Sequence, residues 1–186
     1  MASRGVTAFG QTNTQQGWRE KKLSGGILMD VQSNEVLLRD LPMPHSPRIF
    51  NGVLYLLLSV TGEVVAVDLK DGSYEVVNRV EGSVRGMTQY KDYLFVGSSL
   101  LRKTHTFGDL PLAQSNATFC GVSMFHLPSG AFVGQIKYVN SCEEIYDIQV
   151  LPGLRRPGIL GVNSPMYRRA LSIPNATFWG DGSEID

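Results

Sequence analysis

A short β-hairpin recurs three times along this chain, and the recurrence constrains the fold more than any other feature. In each hairpin a polar residue stands four positions before a turn residue, Asn34, Gly72 or Gly130. An aspartate at that place accepts backbone hydrogen bonds and fixes the turn, so we interpret these polar residues as structural. The hairpins are Ile27–Val36, Val64–Tyr74 and Val122–Phe132, and the polar residues are Asp30, Asp68 and His126. Such a β period predicts stacked sheets, as in a β-propeller.

The segments between the hairpins repeat as well. Each predicts a strand, a tight turn and a second strand, with turns at Asn51-Gly52, Lys91-Asp92 and Pro152-Gly153. In the last of these segments the predicted strands are Ile148–Leu151 and Ile159–Val162. Asn-Gly between apolar runs is the strongest short-range hairpin signal. The prolines between residues 42 and 47 indicate a connection, because proline has no amide to give to a strand ladder. Further short strands are expected at Gly5–Phe9 and near Ala176–Trp179.

The sequence therefore predicts an all-β chain, a β-propeller segment of about three to four four-stranded blades that leaves the ring incomplete. One partial propeller domain would span residues 1–186. Its predicted parts are a remainder of a first blade at 1–41, a blade at 42–80, a blade at 81–141 with an inserted loop at 98–119, and a last blade and tail at 142–186. The apolar faces at both ends of such an arc need covering, so we expect self-association or a second chain that completes the ring.

The charge balance and the hydropathy of the chain argue against two classes of partner, nucleic acids and membranes. Lys and Arg together number 17, as do Asp and Glu, whereas a nucleic-acid binder usually carries a basic surplus. No apolar run approaches the ~18 residues of a membrane span, so no membrane partner is expected. The first residues lack the hydrophobic segment of a secretory signal, and the expected location is the cytoplasm. Cys120 and Cys142 have no metal-site or redox spacing and are interpreted as buried small hydrophobes.

Aligning the repeats places His45, Arg85 and Tyr146 at one position, just before the innermost strand of each predicted blade. Residues at that position face the central channel at one end of a propeller ring. Together with the adjacent Arg48 they are candidate ligand-binding residues, because a guanidinium group binds carboxylate or phosphate. The alternative is that these polar side chains only solvate the mouth of the channel and pair with one another.

Two further groups of residues are candidates for chemistry or contact. Glu143, Glu144 and Asp147 are the carboxylates that could ligate a metal, although calcium needs ~6–8 oxygens and therefore ligands from other blades. No cofactor is expected if the chain is a non-enzymatic binding module. Calcium or zinc is expected only if it is a metal-dependent enzyme. Trp18 and Arg19 lie in a long polar segment, where the tryptophan either contacts a partner or caps the core.

Five segments, considered together, carry a family resemblance: Val6–Thr12, Gly17–Glu20, Gly25–Val31, Met43–Arg48 and Val150–Pro157. In combination they resemble a bacterial family of conserved hypothetical proteins with a domain of unknown function. The resemblance implies a propeller of the NHL or gluconolactonase-like kind. It also implies that this chain corresponds to the C-terminal part of the family domain. It supplies no catalytic residues.

The leading functional prediction is a non-enzymatic binding or scaffold module that recognises a protein or a small ligand at one rim. A metal-dependent hydrolase or lactonase-type enzyme at the channel mouth is the first alternative, and bound calcium or zinc would favour it. A truncated fragment without an independent function is the second. The sequence contains no serine-nucleophile motif, phosphate-binding glycine loop or HExxH motif.

Overall fold

Antiparallel strands joined by tight turns make up the chain in a computed structural model. The structure describes residues 5–101, 107–108, 110–114, 118–140, 142–155, 157, 161, 163, 170–173 and 176–179. Across these residues the helices are short 3₁₀ turns, at Gly17–Lys21 and Pro111–Gln114. The prediction of an all-β chain is confirmed. The chain divides into two compact units, Met1–Val150 and Leu151–Asp186.

The strands of the first unit form one sheet of three strands and two sheets of four, each in sequence order. They are β1 (Gly5–Ala8), β2 (Gly26–Asp30), β3 (Val36–Leu41), β4 (Pro44–Phe50), β5 (Val53–Leu58), β6 (Glu63–Asp68), β7 (Ser73–Arg79), β8 (Ser83–Tyr90), β9 (Tyr93–Ser99), β10 (Gly121–His126) and β11 (Ala131–Lys137). The sheets are β1–β3, β4–β7 and β8–β11, so four-stranded antiparallel sheets repeat as expected. In the second unit, β12 (Ala170–Ile173) pairs with β13 (Ala176–Trp179), which confirms the strand predicted there.

The three recurring hairpins form as predicted, and their polar residues fix the turns. Asp30 accepts hydrogen bonds from the amides of Gln32 and Ser33, both at 2.8 Å. Asp68 accepts one from the amide of Lys70 at 2.8 Å. The equivalent His126 Nδ1 lies 2.7 Å from the hydroxyl of Ser129. The matched turn residues all adopt left-handed backbone, with φ of 59° at Asn34, 70° at Gly72 and 67° at Gly130. The structural interpretation of these polar residues is confirmed.

Both faces of the middle sheet, β4–β7, are covered over β5 and β6, whose successive side chains point to opposite sides and are buried in both directions. On one side Leu54, Leu56 and Leu58 join a cluster that includes Leu28 and Leu41 of the first sheet. On the other side Tyr55 and Leu57 join a second cluster, whose remaining members include Val84, Met87, Leu94, Val96 and Phe125 of the third sheet. The continuous apolar run of β5 is therefore explained by burial between two sheets.

The proline-rich segment predicted as a connection is in fact a strand. β4 begins at Pro44 and passes through Pro47 to Phe50, pairing with β5 alone. An edge strand tolerates proline because half of its amides have no ladder partner. A second expectation also fails: residues 148–151, predicted as a strand, are described without strand pairing. Their predicted partner, Ile159–Val162, lies for the most part outside the described residues.

The first strands of the three sheets lie next to one another, with β4 contacting β1 on one side and β8 on the other. At the far edge of the third sheet, β11 keeps its apolar side chains exposed, and Ile136 is 70% accessible. Tyr74 and Val76 of β7, the outer strand of the middle sheet, are exposed as well, so exposure is a property of the outer strand of each four-stranded sheet. Within the described residues, no helix has the length and apolar character that would let it cross a lipid bilayer.

Candidate functional site

Two of the candidate residues, His45 and Arg85, lie at matching irregularities in the pairing of β4 and of β8. The pairing of β4 with β5 skips between His45 and Arg48, and the pairing of β8 with β9 skips between Val84 and Met87. In both bulges one residue has left-handed backbone, Ser46 with φ of 51° and Gly86 with φ of 74°. Bulges of this kind re-aim the neighbouring side chains. His45 and Arg85 lie inside β4 and β8, which begin at Pro44 and Ser83. The prediction that these two residues precede their strands is wrong, because both strands begin earlier than expected.

The two bulges are joined directly. The amide of Gly86 donates a hydrogen bond of 2.9 Å to the hydroxyl of Ser46. A little further along, the buried hydroxyl of Ser59 donates to the carbonyl of Val84 at 2.6 Å. Since buried polar groups with good partners hold neighbouring elements in one arrangement, these bonds fix the junction of the second and third sheets.

A pocket of about 230 Å³ opens at this junction. Its polar wall contains two guanidinium groups, one imidazole, one carboxylate and three hydroxyls, and its apolar wall contains aromatic rings and aliphatic side chains. The polar wall is Arg19, Arg85, His45, Glu144, Ser59, Ser83 and Ser99, and the apolar wall is Phe9, Trp18, Met43, Val60, Leu100, Leu101, Phe107 and Leu110. With two arginines against one carboxylate, the ionised side chains of the wall carry a net positive charge.

His45 stands between the aromatic and the cationic parts of the pocket. Its ring meets Phe9 edge-on at 4.8 Å between centroids, and Phe9 in turn lies 5.2 Å from Trp18. Burial, together with the charge of Arg85, lowers the pKa of His45 from 6.5 to about 4. The imidazole is therefore neutral at pH 7, offering one N–H donor and one acceptor nitrogen.

Arg85 lies over the ring of Tyr146, with its guanidinium carbon 4.4 Å from the ring centroid. The hydroxyl of Tyr146 donates a 2.8 Å hydrogen bond to Glu144, whose side chain lines the pocket. The structure thus brings Arg85 into contact with Tyr146, the residue aligned with it in the following repeat. Among the described residues Arg85 forms no ion pair, and its charge is directed at a ring face and at the pocket.

The remaining candidates are placed apart from this pocket wall. Arg48 pairs with Asp147 at 3.2 Å, and the second carboxylate oxygen of Asp147 accepts the amide of Ile148. Glu143 is exposed, and its carbonyl accepts the amide of Leu100 at 2.9 Å. Within the described part of the chain, no three His, Cys, Asp or Glu side chains come together as a group that could hold a metal ion. The structure therefore does not gather Glu143, Glu144 and Asp147 into one cluster.

Trp18 and Arg19 both belong to the pocket rather than to a separate surface. Trp18 is half-buried and packs against the cluster of Met43, Val60 and Leu110. Arg19 is exposed, with its guanidinium carbon 5.9 Å from the ring centroid of Trp18. Of the two interpretations of this tryptophan, the packing favours the one in which it caps the core.

Most of the apolar wall was not identified from the sequence. Phe9, Phe107 and Leu110 come from distant parts of the chain, and no local pattern marks them as neighbours. Ser83 could have been identified, because it stands two residues before Arg85 on the same strand and shares its face.

Lowering the pH should reduce the free energy of unfolding, because His45 becomes protonated more readily in the unfolded chain. Its folded-state pKa of about 4 lies below the unfolded value of 6.5, so the unfolded chain takes up the proton first as the pH falls. The contribution of His45 to the free energy of unfolding is complete above pH 6.5. It is lost progressively as the pH falls toward 4, by up to about 3 kcal/mol. We expect the stability difference between the wild type and His45→Gln, measured by urea unfolding, to shift by this amount between pH 7 and pH 4. A difference that is constant with pH would contradict the assignment.

Comparison with protein families gives a match over most of the chain. Residues 1–160 match a family described as a domain of unknown function, DUF4915. No curated protein matches the sequence.

Proposed function

The chain belongs to the DUF4915 family, and we propose from its own geometry that it is a non-enzymatic binding module for a small organic carboxylate. The observation that carries the proposal is the pocket of about 230 Å³, in which Arg85 and Arg19 face a wall of aromatic and aliphatic side chains. The lining is about half polar and half apolar, and a concave site in which convergent polar groups stand beside apolar surface suits a small molecule with a charged end and an apolar body. The carboxylate of the ligand binds the guanidinium groups, and its apolar body packs against Phe9 and Trp18.

The charges of the wall support an anion over a cation. Neutral His45 adds hydrogen-bonding capacity without charge, and Glu144 already accepts a hydrogen bond from Tyr146. Arg85 has no ion-pair partner among the described residues, so its guanidinium can make the paired N–H to oxygen bonds that a carboxylate accepts.

We also propose that the three sheets of the first unit are blades of a propeller of the NHL kind. Supporting this are the repeated antiparallel order, the side-by-side first strands β1, β4 and β8, and the matched bulges at Ser46 and Gly86. In that arrangement the pocket lies at one rim, between the first strands of successive blades. Blades stacked in this way cover each other's faces, as the two faces of the middle sheet are covered here.

Titration with benzoate and 3-phenylpropionate, followed by protein NMR shifts, tests the binding proposal. We expect both probes to shift the Trp18 indole signal and Arg85→Met to raise their dissociation constants by about tenfold or more, since a charge-assisted bond contributes ~1.5–3 kcal/mol. Arg39→Met is the matched control, because Arg39 is exposed and bonds to Gln11 away from the pocket. Benzamide has the same shape without the charge and should bind more weakly than benzoate. Equal binding of the two, or an Arg85→Met variant that behaves like Arg39→Met, would refute the proposal.

A further inference from the structure

Cys120 and Cys142 lie in contact, although nothing in their spacing pairs them. Their sulfur atoms are 3.4 Å apart. Cys120 is buried immediately before β10, and Cys142 is partly exposed at the start of the segment that continues to Val150. The interpretation of both as buried small hydrophobes holds for Cys120 but does not describe the contact between them.

We propose that Cys120 and Cys142 form a reversible disulfide that ties the segment from Cys142 to Ile148 to the third sheet. A disulfide places its sulfurs about 2.05 Å apart, so the two atoms must approach by a little more than 1 Å. The backbone on both sides is already held: the carbonyl of Cys120 accepts the amide of Tyr138 at 2.8 Å, and that of Glu143 accepts the amide of Leu100 at 2.9 Å. With the backbone held at these points, the proposal requires rotation of the two cysteine side chains to supply the remaining movement.

The oxidant is a small disulfide such as oxidised glutathione, and the reaction is thiol–disulfide exchange. Burial, with the neighbouring Cys142, raises the pKa of Cys120 to about 11, so Cys120 stays protonated at neutral pH. Cys142 is the accessible thiol, and its thiolate attacks the glutathione disulfide and releases one glutathione thiolate. The sulfur of Cys120 then attacks Cys142 in the mixed disulfide, its proton passing to the second departing glutathione. Two glutathione thiols and one protein disulfide result, which balances the two electrons transferred.

A disulfide between Cys120 and Cys142 would also affect the pocket, because of the residues that follow Cys142. The tied segment carries Glu144, which lines the pocket, and Tyr146, which lies under Arg85. Its other attachments are non-covalent and include two hydrogen bonds between Ser99 and Ile145, the ion pair of Asp147 with Arg48, and the contact of Tyr146 with Arg85. Oxidation therefore adds a covalent bond to the segment that brings Glu144 to the pocket.

The full-length protein, reduced and then exposed to oxidised glutathione, provides the test. We expect the native product to be lighter by two hydrogens, to show no free thiol after unfolding, and to yield one peptide joining residues 120 and 142. The melting temperature should rise by about 5–10 °C, because the bond closes a loop of roughly 20 residues. Amide exchange at residues 143–148 should slow in the same sample.

Cys142→Ser is the control variant, because the partly exposed side chain is replaced without disturbing the buried one. It should leave Cys120 as a free thiol and show neither the stability gain nor the slower exchange. Cys120→Ala should instead retain a single glutathione on Cys142, which reports the first step alone. A wild-type protein that keeps both thiols, carries two glutathiones or becomes a disulfide-linked dimer would overturn the proposal.

Discussion

Gly86→Ala should destabilise the protein by about 3 kcal/mol or more. Gly86 has φ of +74°, and left-handed backbone costs an L-residue roughly 1–2 kcal/mol. A β-carbon there would also come within 2.6 Å of the α-carbon of Asp147 and within 3.0 Å of the amide nitrogen of Ile148. Both are backbone atoms that cannot turn aside, and forced repacking adds about 1–3 kcal/mol. Urea unfolding followed by circular dichroism measures the loss.

Gly52→Ala separates the two causes. Gly52 has a similar φ of +83°, but no atom lies within 4 Å of the place its β-carbon would occupy. We expect this variant to lose only the conformational part, about 1–2 kcal/mol. The excess loss in Gly86→Ala then measures the close approach of residues 147–148 to the bulge of β8. Equal losses in the two variants would show that this approach is not a constraint.

Leu57→Ala and Leu56→Ala should each cost about 3–4 kcal/mol, although the two residues are adjacent and point in opposite directions. Both are fully buried, Leu57 between the middle and third sheets and Leu56 between the middle and first sheets. Removing a buried leucine side chain forfeits its transfer free energy and leaves a cavity, which together amount to ~2–5 kcal/mol. Chemical unfolding of each variant measures the effect.

Val53→Ala, at the exposed start of the same strand, is the control and should cost less than about 1 kcal/mol. In a sheet with one solvated face, one of the two leucine variants would resemble this control. A large loss from only one leucine would therefore contradict the covering of both faces of the middle sheet.

Features encoded within a few residues were predictable from the sequence. The turn at Asn34 needs left-handed backbone and a preceding carboxylate, and both the asparagine and Asp30 are present in the local sequence. The same holds for Asp68 with Gly72. The position shared by His45 and Arg85 could be found because the repeats that carry them share their turns.

Features that depend on distant neighbours were not predictable. Pro44–Phe50 lacks the signature of a strand, and it becomes one because β5 offers an edge to pair with. Glu144 and Asp147 are close in sequence, yet Tyr146 and Arg48 bind them at different places. The contact of Cys120 with Cys142 depends on how the chain returns to the third sheet, which the spacing of cysteines does not encode.

The hydrogen bond from Gly86 to Ser46 bears on the rate at which the proposed ligand would bind. It joins the two strands that carry Arg85 and His45, and one of those strands belongs to the sheet that is enclosed on both sides. Little freedom remains to be lost there when a molecule enters, so less of the contact energy is spent on ordering the protein. Under the proposed binding function, we expect capture and release of the ligand to be limited by diffusion and desolvation rather than by a closing movement.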